Sequence, residues 1–287
     1  WQDIQMQSLR SSNLSQIKMD RAFGQYVIKP AKPLMPKDSF SLHFTFRYSV
    51  NPWNGHNPAN AIVQNGSFIR LSNYFPRIGY QSELEITDES ERAKRTMPAA
   101  TSIKGLTDAM EQPYPYGFIR WEALVSAPAE QTVVGIGELV KRYRKNDRTY
   151  FHFDSKRPIP FRFGLSSAVY EVKKTQHDSI AIEIYYHPRH AQNVTHLMER
   201  IKQSLTYCQK HFGPYPFKII RFAEISNFTQ GFAGTAYPAT IFMNEEIFHL
   251  NLDGFREQDV INQLAGHELA HQWWGTVQLA PDDRQGS

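Results

Sequence analysis

The sequence predicts an α+β protein: a β-rich first part of antiparallel sandwich type, followed by a part in which helices pack against strands. Three observations carry this. In residues 39–50, Phe40, Leu42, Phe44, Phe46, Tyr48 and Val50 alternate with polar residues, the period of two that marks a half-buried strand. From Val194 to Phe212 the apolar residues recur instead at the helical period of 3.6. Further short strand-like runs, punctuated by Pro and Gly, favour a sandwich or layered sheet.

The elements follow in order. "PKDS" supplies a turn before the strand at 39–50 and "NPWNGHNP" supplies one after it. The polar run 83–95 predicts an exposed loop with a short helix. Residues 130–140 and 149–154 predict strands, and 179–186 another with Ile180, Ile182, Ile184 and Tyr186 on one face. Residues 187–190 read as a surface turn, since Pro188 breaks any helix that would pair His187 with His190. Asn193 is placed to cap a helix whose stripe is Val194, Leu197, Ile201, Leu205, Cys208 and Phe212. "FGPYPF" ends that helix with Gly213 and two prolines. Residues 218–225 and 240–246 read as strands, and about 256–274 as a last helix. The change of period sets a domain boundary near Pro188, giving a mostly-β domain at 1–188 and a second at 189–287.

Composition narrows the function classes. The chain has 287 residues, 41% of them apolar, enough for a sizeable core and, on length, roughly two domains. A net charge of +4 without any Lys/Arg block argues against nucleic-acid binding. The lone cysteine, Cys208, forbids an intrachain disulfide and fits a buried structural thiol on a helix face. No window reaches the ~18–20 continuous apolar residues of a membrane span. With neither a starting methionine nor a signal-peptide layout, the chain reads as a piece of a longer protein, soluble alone or a loop domain between spans.

The chemistry is concentrated in "GHELAHQWWG", residues 266–275. His267, Glu268 and His271 make H-E-x-x-H. On a helix, positions i and i+4 share a face, so both imidazoles can reach one zinc ion at about 2.0–2.1 Å. Glu268, next to the first ligand, can take a proton from water and pass it to a leaving amine. Val260 and Leu264 continue into His267 and His271, which points the histidines to where the helix meets the protein. Trp273 and Trp274 read as helix packing.

"GHELAHQWWG" resembles the zinc helix of the aminopeptidase N-like gluzincin metallopeptidases, and "FGPYPF" resembles that family's preceding helix end. Four further stretches resemble one subgroup, the aminopeptidase-like extracytoplasmic domains of bacterial ABC-transporter permease proteins. They are "NGSFI" at 65–69, "PRIGYQSELEITDESERAKR" at 76–95, "IEIYYHPRH" at 182–190 and "AYPATIFMNEE" at 236–246. The resemblance implies an N-terminal β-sandwich followed by the first part of a thermolysin-like α/β catalytic domain. It implies His267 and His271 as zinc ligands, Glu268 as general base and peptides as substrates. It also implies a periplasmic location, with transmembrane and transporter segments of the same parent protein as partners.

Two departures from the family pattern bear on activity. The family's third ligand, a glutamate, and its oxyanion-supporting tyrosine fall further along than Ser287. The chain by itself is therefore expected to hold zinc weakly and to be inactive. The family's G-x-M-E-N strand, whose glutamate binds the substrate's α-amine, corresponds to Gly234, Thr235, Ala236 and Tyr237, with Ala236 in the glutamate's slot. Alanine cannot select a cation, so exopeptidase specificity stays open, with Glu224 or Glu246 as spatial substitutes. Two other readings stand beside the peptidase: a peptide- or partner-binding module of a transporter, and a zinc hydrolase acting on something other than peptides.

Overall fold

The computed structural model describes residues 4–20, 25–49, 61–63, 66–76, 86–99, 118–226, 233–251 and 259–276. They divide into two compact units, Trp1–Asn54 and Gly55–Ser287. The first holds β1 (Ile4–Arg10), β2 (Gln16–Asp20), β3 (Gln25–Lys29) and β4 (His43–Tyr48). β1 pairs antiparallel with β4, and β2 with β3. The strand predicted at 39–50 is shorter here. Its pairing starts at His43, opposite Arg10 at the end of β1, so residues 39–42 lie beyond the last residue of their partner strand. Phe44, Phe46 and Tyr48 form its half-buried face.

The second unit opens with short antiparallel strands. These are β5 (Ala61–Val63), β6 (Gly66–Ile69), β7 (Phe118–Ile119), β8 (Glu122–Pro128), β9 (Thr132–Gly135), β10 (Glu138–Lys145), β11 (Arg148–Asp154), β12 (Ile159–Pro160) and β13 (Leu165–Ala168). They form a four-stranded sheet in the order β5-β6-β13-β9, a three-stranded sheet β10-β11-β8 and a pair β12-β7. The single strand predicted at 130–140 is two, in different sheets. Gly137, at φ +78°, turns the chain where any Cβ would lie 2.6 Å from the Asp154 carbonyl oxygen. Within the polar run at 83–95, the structure has helix α1 (Glu89–Lys94), capped by the Asp88 side chain; residues 83–85 lie outside the described residues.

The remainder is a mixed sheet with helices on one face. Its strands are β14 (Glu171–His177), β15 (Ile180–Tyr186), β16 (Ile219–Ile225), β17 (Gly234–Tyr237) and β18 (Thr240–Asn244), in the order β14-β15-β16-β18-β17. β15, β16 and β18 run parallel, and β14 and β17 flank them antiparallel. Pro188, where the sequence changes period, lies between its second and third strands. The helices are α2 (Val194–Phe212), the single turn α3 (Glu246–His249) and α4 (Val260–Ala270).

The strands β16 and β18 are buried on both faces and read as runs without alternation, whereas β15 alternates and the edge strand β14 is largely polar. Ile182, Ile184, Phe222, Ala236, Ile241 and Met243 meet α2 and α4 on one face. Tyr185, Ala223, Ile225, Tyr237 and Phe242 meet the antiparallel sheets on the other, with Phe242 4.9 Å from Phe68. The α2 stripe is buried as predicted from Val194 through Cys208, whose thiol burial pushes up in pKa, but Phe212 is exposed. Asn193 does not cap α2 through its side chain. Its amide donates instead to the carbonyls of Ile247 and Leu250, fastening α3 to the start of α2.

Candidate active site

The site is built on α4. Asp259 caps its first turn, accepting from the Asn262 N–H at 2.9 Å, and the same carboxylate meets His196 and Arg200 on α2. The two helices are thereby locked at the start of α4. Ile261, Ala265 and Leu269, four residues apart, are fully buried and seat the helix in the core. This moves the stripe by one residue from the one predicted. Val260 and Leu264 are half-buried, His267 is exposed and His271 half-buried, so the histidines stand on the shoulder of the helix, not beneath it. That is where a ligand must stand if a substrate is to reach it.

The regular helix ends at Ala270, short of the predicted Trp274, and His271 follows in helical conformation as its C-cap. Residues 272 and 273 turn more tightly, their N–H groups donating to carbonyls three residues back, and Gly275 leaves the turn at φ +90°. The tight turn brings the Trp274 carbonyl to within 3.3 Å of His271 Nδ1. An Nδ1–H donated there leaves the lone pair of His271 on Nε2, the second contact that orients a metal-binding imidazole. His271 Nε2 faces His267 Nε2 at 3.3 Å, the rings being perpendicular. Two nitrogens each 2.0–2.1 Å from one ion at a tetrahedral angle are separated by about 3.3–3.4 Å. The pair therefore fits zinc in both distance and donor type. Among the described residues no third imidazole, thiol or carboxylate completes the set around them.

Glu268 is 6% exposed, and burial raises its pKa, with the nearby His267 and Arg162 charges acting to lower it. It lies against β17. A Cβ on Gly234 would come within 2.9 Å of Glu268 Cγ and 3.0 Å of its Oε1. A residue without a side chain is what lets this strand approach the carboxylate so closely.

The other three predicted strand residues turn their side chains into the protein. Ala236 is 4% exposed in the helix-side core. Tyr237 packs on Phe242 in the opposite core, and Thr235 is buried. Among the described residues β17 is paired only with β18, at the end of its sheet, so what it offers a ligand is main chain. Of the spatial substitutes, Glu224 has both oxygens occupied, by the His187 N–H and His190 Nδ1, and Glu246 is exposed on α3.

Three contacts at this site were not legible in the sequence. Gln272, fully buried, donates to the Tyr237 carbonyl and accepts from the Ala239 N–H. It thus ties the end of α4 to the turn that joins β17 to β18. Arg162 reaches over the Tyr237 ring at 5.3 Å and donates to the Thr235 hydroxyl at 3.2 Å. Trp273 donates its indole N–H to the Gly213 carbonyl, which makes the "FGPYPF" turn part of the support of α4. All three join residues far apart in the chain, which periodicity does not register.

No protein-family model and no curated protein matches this chain. Solved structures do. Aminopeptidase A from Legionella pneumophila, in complex with aspartic acid, aligns over 98% of this chain and 30% of its own, at 13% identity and a TM-score of 0.69. An M1 zinc metallopeptidase from Deinococcus radiodurans aligns over 97% of this chain and 56% of its own, at 14% identity and a TM-score of 0.64. The E323A mutant of a two-domain M1 zinc metallopeptidase, bound to L-arginine, aligns over the same shares at 14% identity and a TM-score of 0.63. The chain has the fold of these M1 zinc metallopeptidases and spans between 30% and 56% of their length.

Proposed function

We propose that the protein is a zinc metallopeptidase of the aminopeptidase N-like type, hydrolysing peptides. The observation that carries this reading is the pair of imidazole nitrogens 3.3 Å apart, with a buried glutamate between them in sequence and a strand pressed against it. His267 and His271 would hold the ion. Zinc supplies, when bound, a Lewis acid that polarises a peptide carbonyl and makes water acidic enough to attack near neutral pH. Glu268 takes the proton from the attacking water and delivers it to the leaving nitrogen. Its raised pKa suits both halves of that transfer. The main chain of β17 aligns the peptide as an added strand, placing a carbonyl beside Glu268.

A second reading, a peptide- or partner-binding module, draws on Ala236. Where the resembled family has an amine-binding glutamate, this chain has a methyl group packed in the core. The resemblance to permease-associated domains supports placing the parent protein in a bacterial inner membrane, with this part on the periplasmic side. Among the described residues no helix is long and apolar enough to cross a membrane.

The test uses the full-length parent protein with a mixed peptide pool, with and without a zinc chelator, beside Glu268→Gln, read by mass spectrometry. Cleavage that needs zinc and falls at least ~100-fold in the variant, the scale of a lost general base, is the expected result. The cut positions separate end-trimming from internal cleavage. A folded, zinc-loaded protein that leaves every peptide intact points to the binding module.

A further inference from the structure

An exposed cation stands on the edge strand of the candidate active site. Arg162 lies in the short link between β12 and β13, between Phe161 and Phe163, whose rings are 5.3 Å apart. Phe163 is fully buried and its carbonyl accepts from the Ser72 N–H at 2.9 Å, so the backbone carrying Arg162 is fixed. The side chain is exposed and crosses to β17, where it lies over the Tyr237 ring and donates to the Thr235 hydroxyl. A guanidinium has more N–H donors than that one bond uses. Among the described residues Arg162 has no carboxylate within ion-pair distance.

The alternation of β17 says which part of a bound peptide this cation meets. Ala236 faces the core beneath α4 and Gly234 faces Glu268, whereas Tyr237 faces the opposite core and Thr235 faces Arg162. A peptide added along β17 alternates in the same way. Next to a residue whose side chain falls on the Glu268 side comes one whose side chain falls beside Arg162. The cation is also within electrostatic reach of the catalytic groups. Burial raises the pKa of Glu268 and lowers that of His271, and the Arg162 charge acts downward on both. Ala236 offers only a methyl group packed in the core, with no counter-charge. A cationic group on the substrate would therefore meet like charge beside Arg162. A carboxylate would meet a planar fork of donors that matches its own two oxygens.

We propose that Arg162 selects peptides with an aspartate or glutamate at the position whose side chain falls on the Thr235 side of β17. The inference rests on the peptidase reading above and adds a substrate class to it. Arg162 acts here as a specificity residue, on the far face of β17 from Glu268 and away from the reacting atoms. Packing over Tyr237 accounts for one face of the guanidinium. It leaves the charge itself uncompensated, and an anionic side chain would compensate it.

The test uses the full-length parent protein and C-terminally amidated peptides that differ only in a Glu, Gln or Lys moved along the sequence. At one position the Glu peptide is expected to exceed the Lys peptide at least about tenfold in kcat/KM, the scale of a hydrogen bond to a charged group. Arg162→Gln is expected to abolish that preference and Arg162→Glu to reverse it. A preference that survives Arg162→Glu overturns the proposal. So does a loss of rate equal for all three peptides, which would place Arg162 in the catalytic machinery or the fold. Binding of the same peptides to Glu268→Gln, followed by equilibrium dialysis, separates this inference from the reading beneath it. If no peptide is cleaved, the peptidase reading fails. Binding that favours Glu, and reverses when Arg162→Glu is added, would still support the role of Arg162. Binding that is absent or indifferent to charge would overturn it.

Discussion

Glu268 and Gly234 are set against each other so closely that the smallest possible side chain tests the arrangement. In Gly234→Ala, the new methyl would start 2.9 Å from Glu268 Cγ, and the carboxylate must move because β17 is held by its pairing with β18. The expected outcome is peptide cleavage by the parent protein reduced at least tenfold, with melting temperature and zinc content near those of the unmodified protein. Displacement of a positioned catalytic group by a fraction of an ångström to 1 Å is enough for that loss. Assays of rate, melting and metal content on the one variant distinguish this from a folding defect. At this scale the histidine pair and the glutamate were legible, because their spacing is set by helix geometry alone. The approach of Gly234 was legible only as a strand slot, since which atom it meets depends on how α4 lies on the sheet. Arg162 and Gln272 left no signal, as neither stands in a pattern with its partners.

Strands β14, β15 and β16 are joined by one carboxylate as well as by their backbone ladder. Glu183 on β15 receives Lys174 from β14 at 2.7 Å and the Tyr185 hydroxyl at 2.6 Å, and Arg221 of β16 lies 3.4 Å away. Arg221 also donates to the Gly137 carbonyl, carrying the network into the antiparallel sheets. Burial by itself would raise the pKa of Glu183, but the hydrogen bonds from Lys174 and Tyr185 and the Arg221 charge outweigh it, and the net shift is downward. A carboxyl whose pKa is lower folded than unfolded stabilises the fold above its ordinary value of 4.5, and that contribution is lost as pH falls through the folded value. Glu183→Gln is therefore expected to melt below the unmodified chain at pH 7, with the gap closing as pH drops below 4.5. A gap independent of pH would assign the loss to packing instead. Element boundaries show the same division between local and distant causes. The period of two at 180–186 placed β15 well, whereas β10 was merged with β9 because the turn at Gly137 is imposed by the Asp154 backbone beneath it.

At the level of the whole second unit, one mixed sheet separates two cores, and the candidate active site lies where its edge strand meets the end of a helix. The α+β class was legible because the hydrophobic period changes once along the chain. The layering was not, since the buried runs of β16 and β18 have no alternation to say which face each residue takes. Everything proposed for catalysis rests on His267 and His271 sharing one ion. The most direct measurement is anomalous diffraction at the zinc absorption edge from crystals of the chain soaked in zinc. The account predicts a peak about 2.0–2.1 Å from Nε2 of both residues. Two ordered imidazoles facing each other with no peak between them would contradict it.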